Sequence, residues 1–517
     1  MKKLFSSFII LSILLLLFVN LQSVCLVSAN FFPASVPEHT IEITATGDVT
    51  GTEHIQRSGS TYTFTADITG SIVIFCNNIV VDGAGYTLQG NGTLTGIWLQ
   101  ELNNVEIKNL HIKNFSHGIQ FTYGNSMDGC SGITVSANTL TDNNHGITLG
   151  MMSDGNNILG NTFANNTYGV YINHSPDNTF RDNQLIDNTY NLWVNCETSV
   201  QMTHFTNDID TSNTINGKPI VYWVNQKDKT VPSNAAYVAL VNCTNITVQN
   251  QTLTQNSQGI LLVATSNCLI TNNHITNNDY GIVLFAPYEI CSNNTISKNI
   301  ITANNKDGIN SWNSEHTLVT ANTVTGNQQS GILFYDSRRA IISENTVTQN
   351  TQDGIKLWGH ESNDNTVHAN TVTNNQNGIN LDTAFNNTIV GNTIQQNSDY
   401  GIILDYTIPV FSNNTIYQNN FNNTQQATYT NDPLAGTLPD MEPATDRWDN
   451  GTTGNYWSNY NGTGPYIINE NNQDNHPLTQ PTTIPEFQSW IILPILITTT
   501  LAITLCKQKL TKKHRTY

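Results

Sequence analysis

Phe285, Trp312, Tyr335, Trp358, Asp382 and Asp405 each stand four residues after the glycine of a recurring Gly-Ile-x-Leu-like unit. If those units stack, the six side chains form one column. Side chains alternate along a strand, so with the Leu of each unit turned inward the next residue points outward. The column then reads as a stripe of aromatic rings followed by two carboxylates. Glu315, His316, Asp336, Arg338, Arg339, Lys356, His360 and Glu361 flank it. A pyranose ring has an apolar face and a polar rim, so rings beside hydrogen-bonding groups suit its recognition. The plainer alternative is that the rings cover a loop or pack against a terminal cap.

A second column suggests different chemistry. Met151, His174 and Cys196 each stand five residues after their markers, in consecutive units. Thioether, imidazole and thiolate are soft ligands suited to Cu(I), and neighbours in such a column would be ~5 Å apart. No Cys-x-x-Cys or His-x-Met cluster reinforces the idea. Ordinary turn residues are the favoured account of the three, and no cofactor is expected.

What must position both columns is a repeat. Marker residues occur at Gly96, Gly118, Gly146, Gly169, Asn191, Gly259, Gly281, Gly308, Gly331, Gly354, Gly378 and Gly401, at intervals of 22, 28, 23, 22, 68, 22, 27, 23, 23, 24 and 23. A period near 23 with Ile and Leu two apart means one short strand per repeat, both side chains on one face. The gap of 68 is about three periods, and Gly217-Lys218-Pro219-Ile220 and Ala236-Tyr237-Val238 read as two degenerate coils within it. Asn-Thr pairs such as Asn138-Thr139, Asn161-Thr162, Asn345-Thr346 and Asn370-Thr371 precede the markers. Asparagine tolerates left-handed backbone angles, and stacked at one corner it forms amide ladders. Leucine-rich repeats share the period, but Asn, Gly, Thr and Ser break every candidate helix here. The expected fold is all-β: a single-stranded, right-handed parallel β-helix of ~23-residue coils, with a C-terminal transmembrane helix.

Ser71-Ile72-Val73-Ile74 through Val80-Val81-Asp82-Gly83-Ala84-Gly85-Tyr86-Thr87-Leu88 resembles the opening coil of NosD-like β-helix proteins. Asn216-Gly217-Lys218-Pro219-Ile220 and Gly454-Asn455-Tyr456-Trp457-Ser458-Asn459-Tyr460 resemble two further landmarks of that family, with Asn459 where Asp is commoner. The likeness runs over most of Ile41 to Leu478. It implies coils of the class found in carbohydrate-binding proteins and sugar hydrolases, in a family named for a periplasmic protein linked to copper-site maturation. Catalysis would need two carboxylates about 5–10 Å apart, which Glu315, Asp336, Glu361 and Asp382 could supply. The paired-aspartate, Gly-His-Gly and Arg-x-Lys signatures of β-helix pectinases are absent, and only Arg338, Arg339 and Lys356 offer basic charge. The favoured reading is a non-catalytic surface scaffold that binds carbohydrate or mediates adhesion. The alternatives are a glycosidase or lyase on the same face and a copper-handling accessory protein.

The chain ends place that scaffold. Lys2 and Lys3, an apolar run from Ile9 to Val19 and Val27-Ser28-Ala29 form a signal-peptide pattern over 1–29. Trp490 to Cys506 is apolar and is followed by a basic tail, 507–517, which orients the span with its C-terminus inside. Pro485-Glu486-Phe487 resembles the PEF-type sorting signals of archaeal surface proteins. Between the ends lie an N-terminal cap (30–70), the β-helix (71–425), a C-terminal cap (426–480) and a linker (481–489). The net charge is −18, and seven of the 20 basic residues sit in the hydrophobic ends, leaving 13 against 38 acidic residues, or −25, outside. Such a surface repels phosphate backbones and polyuronates, so nucleic acid is excluded as a partner and neutral or cationic polymers are favoured. Cys76, Cys130, Cys196, Cys243, Cys268 and Cys291 read as buried free thiols in an exported chain, with disulfides the alternative. Sequons such as Asn91-Gly92-Thr93 and Asn450-Gly451-Thr452 offer glycosylation sites.

Overall fold

The computed structural model describes residues 40–124, 128–195, 201–286, 288–405, 412–430 and 445–482. The expected signal peptide, apolar span and basic tail lie outside these residues. The chain forms two compact units, residues 1–317 with 326–329 and residues 318–325 with 330–517. Both are parallel β-helices. Among the described residues the one helix is the single turn Met202–Phe205, and none is long and apolar enough to cross a membrane.

In the first unit the marker strands Thr95–Gln100, His117–Thr122, His145–Leu149, Tyr168–Asn173 and Tyr190–Asn195 pair in parallel. Ile97, Ile119, Ile147, Val170 and Leu192 stand in register there, each at most 2% exposed. The same alternation builds two further sheets, from strands such as Glu106–Lys108 and Thr134–Ser136, and His111–Lys113 and Thr139–Thr141. The stack begins upstream of these: Ile41–Ile43 already lies parallel to Ile72–Ile74. The marker glycine has a steric reason, since a Cβ on Gly118 would lie 2.6 Å from Gly146 O in the next coil.

The amide ladders expected at one corner occur at three. In the first unit Asn138, Asn161, Asn183 and Asn213 pass Nδ2–H to the next Oδ1 at 3.1, 3.1 and 2.8 Å. Asn143, Asn166 and Asn188 form a second ladder, and Asn156, Asn178 and Asn207 a third. Each rung also bonds backbone, as when Asn161 Nδ2 donates to Val135 O at 2.8 Å. The left-handed residue is the one before the ladder: Ala137, Asp142, Asn165, Asp182 and Asp187 have φ of 52, 56, 55, 56 and 51°. The ladder asparagine itself turns inward, where its amide satisfies buried backbone that would otherwise be costly.

The long interval of 68 contains a seam. Asn216 and Gly217, with φ of 48 and 78°, fold Thr214–Ile215 back antiparallel on Lys218–Val224. Two consecutive left-handed residues with Gly second suit a primed hairpin turn. Lys218–Val224 then starts a fresh parallel run with Tyr237–Val241, Gln258–Val263, Tyr280–Phe285 and Ile309–Trp312. The two degenerate coils are therefore real strands, but the first is entered by a hairpin and carries only Lys227–Thr230 before the next marker strand.

In the second unit Ile332–Tyr335, Asp353–Trp358, Asn377–Asp382, Tyr400–Asp405 and Gln425–Thr430 pair in parallel. An amide ladder runs from Asn322 through Asn345, Asn370, Asn392 and Asn419 to Asn455. The core ends under aromatic rings: Trp457 stacks on Phe421 at 4.6 Å and on Tyr466 at 4.3 Å. Trp457 Nε1 donates to Asp474 Oδ2 at 2.9 Å, and Asn459 Oδ1 accepts from the Tyr466 hydroxyl at 3.1 Å.

Cys76, Cys130, Cys243, Cys268 and Cys291 are free, all but Cys76 buried; Cys196 lies outside the described residues. Burial pushes the Cys130 and Cys268 thiols up to about 11 and Cys291 to about 12. These are inert packing groups.

Candidate functional site

The column of aromatics and carboxylates forms in register within each unit. In the first, Phe285 pairs with Trp312. In the second, Tyr335, Trp358, Asp382 and Asp405 follow one another on adjacent strands. Phe285 does not belong to an exposed stripe. It is only 9% exposed, its ring 5.7 Å from Phe205 of the Met202–Phe205 turn. Trp312 meets it edge-on at 4.9 Å and is 40% exposed. Glu315 is half-buried beside it in sequence, with His316 Nδ1 3.7 Å from its Oε1.

On the second unit the face of the marker strands carries a polar array. Lys356 Nζ lies 2.9 Å from Asp382 Oδ2 and 5.1 Å from the centre of the Trp358 ring. Tyr335 meets Trp358 at 4.6 Å with the ring planes 67° apart, so this pair is edge-to-face rather than coplanar. Asp353 is buried and accepts from Asn377 Nδ2 at 2.9 Å and from Asn380 Nδ2 at 3.1 Å. Burial raises its pKa, against the pull of those amides and of Lys356. Asp336 is likewise raised by burial, although the Glu361 backbone N–H donates to it at 3.2 Å. Burial and the Asp336 charge push the Tyr335 phenol up to about 12. Arg338 and Glu361 form a loose pair at 3.5 Å, while His360 and Glu361 are exposed.

Sequence reasoning named the +4 column with Lys356 beside it, and missed the rest of two neighbouring columns. Asp353, Asn377 and Tyr400 immediately precede the markers, and Lys356, Asn380 and Ile403 follow them by two; both sets stand in register. A larger set was missed in the first unit. His117, His145, Tyr168 and Tyr190 also immediately precede their markers, and their rings stack at 4.5, 4.7 and 5.3 Å with planes 5, 15 and 24° apart. Thr148, Tyr171 and Trp193 stand beside them in register. The residue before each marker was the signal.

The soft-ligand column is only partly described. The Met152 N–H donates to His174 O at 3.0 Å, so those corners adjoin, and Cys196 lies outside the described residues. His174 is buried with its ring centre 4.9 Å from that of His204. Among the described residues no three His, Cys, Asp or Glu converge to hold a metal.

Several solved structures are similar to this chain at low identity. A periplasmic alginate epimerase AlgG mutant is 12% identical, covering 73% of this chain and 79% of that one, with a TM-score of 0.34. The Azotobacter vinelandii mannuronan C-5 epimerase AlgE4 A-module is 13% identical over 80% and 90%, at 0.30. The DFA-IIIase from Arthrobacter chlorophenolicus A6 in complex with DFA-III is 12% identical over 68% and 84%, at 0.29. No curated protein matches the sequence. The family model described as "Periplasmic copper-binding protein (NosD)" matches residues 49–232, 207–336 and 288–462. Those segments contain the opening coil, the Asn216-Gly217 hairpin and the Gly454–Tyr460 landmark, and the chain belongs to the NosD family of parallel β-helix proteins.

Proposed function

We propose that this NosD-family protein is a non-catalytic carbohydrate-binding scaffold, displayed on the outer face of the cell membrane and held there by its C-terminal apolar span. The observation that carries the reading is the array on the second unit: Lys356 between Trp358 and Asp382, with Asp353, Asn377 and Asn380 alongside. It combines a ring, amides, carboxylates and one cation on a rigid sheet. Hydroxyl-rich ligands need such a mixture, and the acidic surface favours neutral or cationic glycans over polyuronates.

Glycan degradation on the same face is the second reading, favoured by the raised pKa of Asp353 near ion-paired Asp382. A carboxyl whose pKa is raised suits general-acid work. Against it, both Asp353 oxygens are held by side-chain amides, which makes the carboxyl a brace. A glycan array probed with the purified chain tests the proposal. Binding to neutral or cationic glycans that weakens about tenfold, roughly 1.4 kcal/mol, in Lys356→Met is the expected result. Failure to bind any glycan defeats it, and release of reducing sugar from a bound glycan moves the assignment to the enzyme.

A further inference from the structure

The first unit carries a second array that the reading above does not use. On the marker strands His145–Leu149, Tyr168–Asn173 and Tyr190–Asn195, Ile147 and Leu149 belong to the core while Thr148 between them faces the other way. Thr148 pairs in register with Tyr171, and Tyr171 with Trp193. The Tyr171 ring lies 5.5 Å from those of His145 and Trp193, and Trp193 lies 5.3 Å from Tyr168.

Two polar atoms on this face have no hydrogen-bond partner and are cut off from solvent, Thr148 Oγ1 and Trp193 Nε1. Thr148 as a whole is only 7% exposed. Buried polar groups are normally satisfied, so two orphans within three successive coils demand a reason. The nearest charges cancel, because Lys306 pairs with Asp279 at 3.0 Å and caps the Trp193 ring at 5.3 Å. Burial also keeps His145 neutral by lowering its pKa. A ligand here must therefore be uncharged. Because the Thr148 hydroxyl and the Trp193 indole N–H are closed to solvent, the rings packed against them must turn aside before a ligand reaches them. The ligand must then offer an acceptor to the indole and a group that both donates and accepts to Thr148. Hydroxyls do both, and C–H faces suit the rings.

We propose that His145, Thr148, Tyr168, Tyr171 and Trp193 form a second binding site, specific for an uncharged saccharide. This rests on the carbohydrate reading of the protein but names a separate site on the other unit. The test is calorimetric titration of the full chain with neutral hexasaccharides (β-1,4-glucan, α-1,4-glucan, β-mannan and chitin oligomers). Thr148→Val, Trp193→Phe and Trp358→Ala are run in parallel, with a thermal melt of each. Thr148→Val and Trp193→Phe keep shape and remove one polar group. The expected result is two sites in the unaltered chain, one weakened at least tenfold in both variants with Tm unchanged or raised, while Trp358→Ala weakens only the other. Unchanged binding in the first two with loss in Trp358→Ala overturns the second site and leaves the proposed function standing. No binding of any neutral hexasaccharide by the unaltered chain overturns it too, as does a fall in Tm without loss of affinity.

Discussion

A single ladder asparagine bears more of the structure than its size suggests. Asn370 receives the Nδ2–H and backbone N–H of Asn345, and sends its own amide to Asn392, Ile342 O and His368 O. Truncating it leaves several buried groups unpaired, at about 1–3 kcal/mol each. Asn370→Ala should therefore cost about 3–5 kcal/mol in denaturant unfolding. Exposed Asn374, four residues on, has a φ of 58° and a corner role only, so Asn374→Ala should cost about 1 kcal/mol. Equal losses would show that the ladder carries no special weight. Protonation offers a second residue-scale readout. Burial, and then the neighbouring His145, lower the His117 pKa to about 4, whereas an unfolded histidine titrates near 6.5. The unfolded chain takes up the proton first, so stability is unaffected above about pH 7. It falls as the pH drops from about 6.5 to 4, by about 3 kcal/mol for this group. His117→Tyr should flatten most of that slope in chemical unfolding between pH 7.5 and 4.5.

At the scale of the strand, two glycines separate close approach from backbone conformation. A Cβ on Gly354 would lie 2.7 Å from Gly378 O and 2.8 Å from Asn375 Nδ2, between coils. Gly217 meets nothing within 4 Å but holds a φ of 78° in the seam hairpin. Gly354→Ala should cost about 3 kcal/mol through displaced backbone, and Gly217→Ala about 1–2 kcal/mol through strain alone. Unfolding curves rank them, and the reverse order would refute the steric account. Neighbours on one strand give a sharper contrast. Leu357 is fully buried, so Leu357→Ala should cost about 3–5 kcal/mol through a cavity. Trp358 is half-buried against Tyr335 and Lys356. Trp358→Ala should lose only about 1–2 kcal/mol of stability, with a comparable loss in glycan affinity. Were Trp358→Ala to unfold the protein as badly as Leu357→Ala, the ring would be packing alone.

For the whole molecule, the apolar span at 490–506 and the basic tail set the expected topology. Protease added to intact cells should remove everything before Trp490, while a tag after Tyr517 stays protected. Cleavage of that tag would reverse the orientation, and its absence from the mature protein would point to processing at Pro485-Glu486-Phe487.

The repeat, the inward Ile and Leu columns, the parallel strands and the buried thiols could be read from sequence alone. The reason is that a solenoid turns tertiary neighbours into residues at a fixed offset: Ile119 and Ile147, or Trp358 and Asp382, touch because each recurs in its own coil. Reading one column was enough for the fold, but the column chosen decided which site was seen. The stacked His117, His145, Tyr168 and Tyr190 lay in plain view one residue before each marker. What only the tertiary structure decided breaks the period. Phe205 covers Phe285 from 80 residues away in sequence, and the Asn216-Gly217 hairpin restarts the stack where two degenerate coils were expected. Lys306 reaches Trp193 over the corner where Asn191 bonds Gln255. No offset rule encodes such contacts, because they depend on where the chain goes after it leaves the repeat.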